Sequence, residues 1–351
     1  MLVHEWGHFI VAKKTGMRVD EFGIGFPPKL FGQKKGETEY TINLLPLGGF
    51  VKIYGENLEA IPDDDPEKVR AFGSRPKWAQ AAVLVAGVTM NVIFAWFLFF
   101  VTFVVGVPSL VDESDATAEA KLLVTAVLPE SPLAESLPPG VEIVAVSADN
   151  VTLNNPNISS FTDFIQEHPT SEMVIDYRHN EEEKQVSVTP QSGLISDDAE
   201  RVAVGVSLAM LDTKKYALGE AFTRAFETTG NGLKSITVGI YTLIAGAVSG
   251  GADLTQVAGP VGIVGMVGEA ASFGFTTLLT FTAIISLNLA VVNLLPIPAL
   301  DGGRLLFVGI EAVTRKPINP AWAGRLNAIG FLLLMALMVF ITYNDIVKIF
   351  H

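Results

Sequence analysis

Cysteine is absent from the 351 residues. That excludes a disulfide framework, a thiolate metal site and a cysteine nucleophile, so any metal ligands must be His, Asp or Glu. Charge is scarce as well: 17% of residues are Asp, Glu, Lys or Arg against 49% hydrophobic ones, a balance too apolar for an ordinary soluble protein of this length. With a net charge of -13 the chain lacks a basic surface of useful size, which excludes nucleic acid as a partner. Also missing is the basic start, apolar run and small-residue cleavage site of a secretory signal peptide. What is present is the composition of a polytopic α-helical membrane protein.

The acidity is local. Residues Val107 to Lys215 hold 19 Asp/Glu against 6 Lys/Arg, which accounts for the whole net charge of -13. An acidic insert is therefore set into a neutral membrane body, and the chain divides into 1–107, 108–215 and 216–351. Three charge-free apolar runs, Gln80 to Val107, Phe275 to Leu295 and Leu326 to Tyr343, have the length of a bilayer crossing. A fourth, Met1 to Ala12, spans about half of the ~30 Å of hydrocarbon at ~1.5 Å per residue. It reads either as the end of a span that starts upstream of Met1 or as a naturally short first helix, giving about four transmembrane helices. Lys13 to Ala79 carries 11 Lys/Arg and Arg304 to Arg325 carries four, which places both loops in the cytoplasm and the acidic insert outside. Four crossings put both chain ends outside too.

Between the first two spans, Glu39 to Tyr54 has β-type residues around a Pro/Gly turn and reads as a membrane-associated hairpin. Exposed backbone at that depth is tolerated against protein or a water-filled cavity, so such a hairpin is expected to flank a site. Within the insert, Leu122 to Leu128, Val141 to Val146, Glu172 to Arg178 and Gln185 to Thr189 read as strands and Ser159 to His168 as a helix, a β-rich domain. Ala217 to Gly250, apolar but carrying Arg224, Glu227 and Lys234, reads as a helix in or beside the membrane interface.

The chemistry starts at Val3-His4-Glu5-Trp6-Gly7-His8. On a helix the i, i+4 spacing brings His4 and His8 onto one face, where both can bind one Zn²⁺, with Glu5 beside them to take a proton from water. A third ligand must come from elsewhere. Asp301 supplies a candidate: it follows an apolar span in Asn293-Leu294-Leu295-Pro296-Ile297-Pro298-Ala299-Leu300-Asp301-Gly302-Gly303. Carboxylates in a membrane persist when they meet a metal, an opposite charge or a polar pathway. Pro296 and Pro298 interrupt the helix, and Gly302 and Gly303 permit a close-packed turn. Each feature alone has a plain explanation, a chance motif on a soluble helix or a helix-terminal aspartate at the surface. Together they form a three-ligand site with a fourth position left for water.

These residues resemble the bacterial site-2 protease family, the intramembrane zinc metalloproteases. The HEWGH run, Phe22-Gly23-Ile24-Gly25-Phe26-Pro27, Leu47-Gly48-Gly49-Phe50-Val51, Gly259-Pro260-Val261-Gly262-Ile263 and the NLLPIPALDGG run occur in the family's order. The resemblance implies that His4, His8 and Asp301 bind zinc, that Glu5 is the catalytic acid/base, and that Asn293 binds substrate near the metal, with Gly48 and Gly49 of the hairpin as further substrate-binding candidates. It also implies an extracytoplasmic PDZ-like domain at about 118–192, where Leu128 to Ala134 resembles the family's Ser-Pro-Ala turn but Val141 stands where a Gly-Asp pair is common. A size filter is favoured for it over peptide recognition. Gly87 and Asn91, in a stretch where proline commonly follows the glycine and Val88 stands here, read as helix-packing residues.

The implied protein is a multi-pass, monomeric enzyme of the inner (plasma) membrane that cuts transmembrane segments of single-span substrates such as anti-sigma factors or signal-peptide remnants. The alternative is a catalytically impaired scaffold that holds client proteins through its groove and PDZ-like domain; a proton-coupled transporter would show inverted repeats, and none is apparent. The orientation is testable because any introduced cysteine is the sole one. Ser171→Cys should react with a membrane-impermeant maleimide in intact cells and Lys35→Cys only after permeabilisation; the opposite pattern would invert the topology.

Overall fold

The structure, a computed structural model, describes residues 1–56, 62, 64–179, 182–194, 201–249 and 258–350. They fall into two units, Met1–Val104 with Ala217–His351, and Val105–Tyr216.

In the first unit, helix α1 (Leu2–Lys14) buries His4, Gly7, His8, Phe9 and Ala12, the i, i+3, i+4 face expected of an amphipathic helix. At 13 residues it is shorter than a bilayer crossing. Strand β1 (Val19–Lys35) and strand β2 (Thr38–Ile53) follow, joined through Gly36 and Glu37. The pairing differs from a hairpin folded about Pro46: residues 39–45 and 49–53 do not pair with each other but lie on either side of β1. Phe22 faces both Val51 and Tyr40, Gly23 both Phe50 and Thr41, and Ile24 both Gly49 and Ile42. Gly23 is what lets the middle segment fit, since a Cβ there would lie 2.4 Å from the Phe50 ring. The turn is pinned by charge. Glu37 accepts ion pairs from Arg70 and from Lys13 at the end of α1, and these cations hold its carboxyl at about 2. Helix α2 (Lys77–Val105) then runs 29 residues, long and apolar enough to cross a membrane.

The second unit is built on a seven-stranded sheet. Its strands are β3 (Val107–Val111), β4 (Lys121–Val127), β5 (Glu142–Ala148), β6 (Val151–Asn154), β7 (Met173–His179), β8 (Glu182–Val188) and, beyond the short β9 (Gln191–Ser192) and β10 (Val202–Ala203) pair, β11 (Val206–Lys214). The order is β3-β11-β4-β5-β7-β8, with β6 paired to β5. Helix α3 (Ile158–Glu167) starts at an Asn157/Ser160 capping box and packs Phe161, Phe164 and Ile165 into a core with Leu122, Val124, Met173 and Ile175. Full burial of each such side chain contributes about 1.5–3 kcal/mol. The sheet therefore extends past the 118–192 read from the sequence at both ends. β11 pairs with β4 and β3, and its Leu208, Met210 and Asp212 alternate toward that packing with the carboxylate of Asp212 held by Thr117. A buried aspartate in an apolar run hid this strand.

The chain then returns to the first unit through α4 (Leu218–Ser249), α5 (Pro260–Ser272), α6 (Phe275–Leu294), α7 (Asp301–Thr314) and α8 (Pro320–Phe350). α4 packs Ala225 against Ala283 and Leu287 of α6 and Ala95 and Leu98 of α2, while Phe222, Phe226 and Tyr241 stay exposed. Three helices among the described residues have the length and apolarity of spans: Lys77–Val105, Phe275–Leu294 and Ala321–Lys348. α8 runs past Tyr343 because its carboxylate has a partner. Asp345 is buried and accepts the backbone N–H groups of Gly259 (3.2 Å) and Gly262 (2.8 Å), capping the start of α5. The Gly259-Pro260-Val261-Gly262 stretch is thus explained, since a Cβ on Gly259 would meet Asp345 Oδ2 at 2.7 Å.

Because the Glu37 carboxyl sits at about 2 when folded and near 4.5 otherwise, its ion pairs stabilise fully above the higher value and fade as pH falls toward the lower. Thermal unfolding of the detergent-solubilised protein should show a falling midpoint across that window. Glu37→Gln should lower the midpoint at neutral pH and flatten that acid limb; an unchanged limb would remove Glu37 from it.

Candidate metal centre

Close packing of α1 on α2 makes room for two imidazoles. Gly7 of α1 lies so near α2 that a Cβ would sit 2.5 Å from the Ala86 carbonyl oxygen, and a Cβ on Gly87 would lie 2.4 Å from His8 Nε2 and 2.7 Å from His4 Cε1. Gly87 therefore clears the volume that the rings fill. Both histidines are 6% exposed.

The third arm comes from the break between α6 and α7. α6 stops at Leu294, the prolines carry the chain through a turn in which Ala299 has φ 78°, and Asp301 stands in the first turn of α7, where the helix dipole favours a carboxylate. Gly302 and Gly303 are required by contact: a Cβ at either would lie 2.2 Å from the carbonyl oxygen of Leu295 or Ile297. That packing delivers Asp301 Oδ2 to 2.9 Å from His4 Nε2 and 3.3 Å from His8 Nε2, with the two Nε2 atoms 3.1 Å apart. Among the described residues this is the group of three His, Asp or Glu whose ligand atoms lie within metal-binding reach.

The donors fit zinc. Tetrahedral bonds of about 2.0–2.1 Å have edges of about 3.3 Å, close to these separations. Asp301 Oδ2 is buried yet accepts no well-aligned hydrogen bond, an atom that a cation would satisfy. His8 Nδ1 donates to the Val83 carbonyl at 2.8 Å, which fixes the tautomer with a lone pair on Nε2. The Asn91 amide lies 3.3 Å from His4 Nδ1; with its oxygen toward the ring it accepts that proton and frees Nε2 in the same way. Ser286 of α6 donates to the main-chain carbonyl of Asn91 at 2.9 Å.

These three side chains line a cavity of about 370 Å³, walled also by Glu5, the strand residues Phe50 to Ile53, Glu56 and Arg304. Asn293 reaches to 3.4 Å from His4 Nε2. Gly48 and Gly49 do not wall this cavity. Gly48 takes φ +86° beside Met1, and a Cβ on Gly49 would meet the Gly23 carbonyl at 2.9 Å, so they shape the strand whose next four residues do. Sequence reasoning missed Glu56, Arg304 and the part of Asn91 at His4. For Arg304 a signal existed, three residues after Asp301 on one helix face; for Asn91 none did, because packing amides look alike in sequence.

Comparison with known proteins identifies the family. The family profile described as Peptidase family M50 matches residues 1–337. Zinc metalloprotease RasP of Oceanobacillus iheyensis is 31% identical, covering 99% of this chain and 96% of its own. Regulator of sigma-W protease RasP of Bacillus subtilis is 30% identical, covering 99% and 95%. The solved PDZ domain of an SdrC-like protein from Listeria monocytogenes aligns with 26% of this chain and 92% of its own at 18% identity and TM-score 0.22, too slight a likeness to argue from. The chain belongs to peptidase family M50, the site-2 proteases. It is a zinc metalloprotease.

Elemental analysis of the purified protein should find zinc, and Asp301→Asn or His8→Ala should abolish it. Asn91→Leu should weaken zinc affinity by about 10–100-fold. Full zinc in Asp301→Asn would take the carboxylate out of the ligand set.

Proposed function

We propose that this protein hydrolyses peptide bonds within transmembrane segments of single-span membrane proteins, with His4, His8 and Asp301 as zinc ligands and Glu5 as acid/base. The observation that carries the reading is the meeting of these three side chains at 2.9–3.3 Å, with Glu5 facing the same cavity, in a unit built of apolar helices long enough to cross a membrane. Zinc, when bound, acidifies water and polarises a carbonyl. Glu5 takes the proton of the attacking water and hands it to the leaving amine. Asn293, at the rim of the ligand set, offers an amide to the substrate backbone.

A substrate helix hides its peptide bonds in its own hydrogen bonds, so it has to unwind before it is cut. Residues Phe50 to Ile53 pair with β1 on one edge, and among the described residues no strand pairs with the other. An extended segment added to that edge gains the backbone partners it loses on unwinding and runs along the cavity they wall. The hairpin, with Gly48 and Gly49 shaping the strand ahead of Phe50, thus acts as a substrate clamp.

The reading also places the protein in the inner (plasma) membrane with α1, α2, α6 and α8 as membrane helices. Residues 108–215 then form an extracytoplasmic PDZ-like domain that limits substrates to those with short outer domains, such as anti-sigma factors already trimmed or signal-peptide remnants. Co-expression with a truncated single-span reporter tests it. The chain should cleave the reporter, and Glu5→Gln should lower the rate by about 10²–10⁴-fold without loss of zinc. Equal processing by the Gln variant would remove Glu5 from the chemistry.

A further inference from the structure

A second cavity, about 560 Å³ and walled in part by Phe72, Gln80, Phe307 and Glu311, adjoins the metal-facing one. The two share two lining residues, Glu56 and Arg304. These are ion-paired through Glu56 Oε1 and Arg304 Nη1, with side chains 19% and 31% exposed. Arg304 follows Asp301 by three residues on α7, so the guanidinium and the metal-facing carboxylate rise from one helix face. Glu56 follows Ile53 by three residues, and its N–H donates to the Ile53 carbonyl at 3.2 Å, so any movement of Glu56 passes to the end of the edge strand.

We propose that Arg304 and Glu56 are positioning residues for the protease reaction. Their ion pair ties the free-edged strand Phe50 to Ile53 to the helix that carries Asp301 and fixes the gap in which a substrate strand lies. This rests on the strand-addition reading above. The hairpin does not need the pair in order to fold. Its turn is held by Glu37 with Lys13 and Arg70, and its base by Tyr54 N–H to the Arg18 carbonyl (2.9 Å) and Phe72 N–H to the Tyr54 carbonyl (2.8 Å). Among the described residues neither partner of the pair is hydrogen-bonded or ion-paired to His4, His8 or Asp301. What the pair adds is a link, within the lining of both cavities, between the strand that would bind substrate and the helix that carries Asp301. A half-buried charge pair is suited to this, since removal of either partner leaves the other in need of water and lets the strand end drift.

The test uses the full chain, in which a single introduced cysteine is unique. In a Glu5→Gln, Lys52→Cys background, oxidation should cross-link the edge strand to a single-span reporter carrying one cysteine beside its cleavage segment. Arg304→Ala or Glu56→Ala should lower the cross-link yield about tenfold, and the reversed pair, Glu56→Arg with Arg304→Glu, should bring it back to within about twofold. In the Glu5-containing chain the same single variants should raise KM by about tenfold and leave kcat and zinc content unchanged. A cross-link and KM that ignore the single variants, or a reversed pair that retains zinc but restores neither, would overturn the positioning role. Absence of any cross-link with the pair intact would remove strand addition and the proposal with it. A cross-link that follows the pair while the Glu5-containing chain leaves the reporter uncut would keep the pair's part in holding the strand and count against cleavage within single-span segments alone.

Discussion

A carboxylate and two imidazoles brought to within 2.9–3.3 Å of each other, mostly out of water, set the terms for the rest of the first unit. Asp301 Oδ2 has no aligned donor, and each Nε2 turns a lone pair toward the same point once its Nδ1 is engaged. Such a cluster is tolerable because one divalent cation satisfies all three atoms at once, whereas a buried charge left alone would be strongly unfavourable. A zinc ion held there would form part of the packing between α1 and α7. The Val83 carbonyl and the Asn91 amide, both on α2, complete it by holding the far side of each ring.

Ligands from helices at opposite ends of the chain can meet only if backbone approaches backbone. The glycines do that. Gly7 and Gly87 remove side chains from the α1–α2 contact, the second where the imidazoles lie, and Gly302 and Gly303 let α7 start flush against the residues that end α6. Larger residues at any of the four would collide with main-chain oxygen atoms or with the ligand rings themselves. The two prolines before Asp301 end one helix and aim the next, so the carboxylate enters at a helix N-terminus and not along a continuous span. Small residues and a broken helix are common devices for close contact in membrane proteins, and here both converge on one cluster.

The hairpin is organised around the same cluster from the other side. Its middle segment is flanked on both edges, and its last four residues line the cavity with one edge that no strand among the described residues pairs. Two ion-paired groups hold it, one at the turn through Glu37 and one near the cavity through Glu56. A sheet with an open edge invites added strands, and a cavity wall gives that edge protection from indiscriminate pairing.

Much was legible in the sequence. Uninterrupted apolar length specified the long helices at 77–105, 275–294 and 321–348 to within a few residues, because burial in lipid depends on local hydropathy alone. Likewise the i, i+4 histidines specified one face of one helix, since that spacing is fixed by helix geometry. The family's five ordered motifs tied Asp301 to them. Sequence alone did not decide which strand lies between which, because residues 39–45 and 49–53 have the β pattern whether they pair with each other or with β1. Nor did it decide the place of β11, Asn91, Glu56 or Arg304, all polar groups or strands whose partners are 79 to 248 residues away in the chain. Local propensity is written in neighbouring residues, whereas a hydrogen bond or ion pair between distant segments exists only after the chain has packed, and so the tertiary structure alone could assign them.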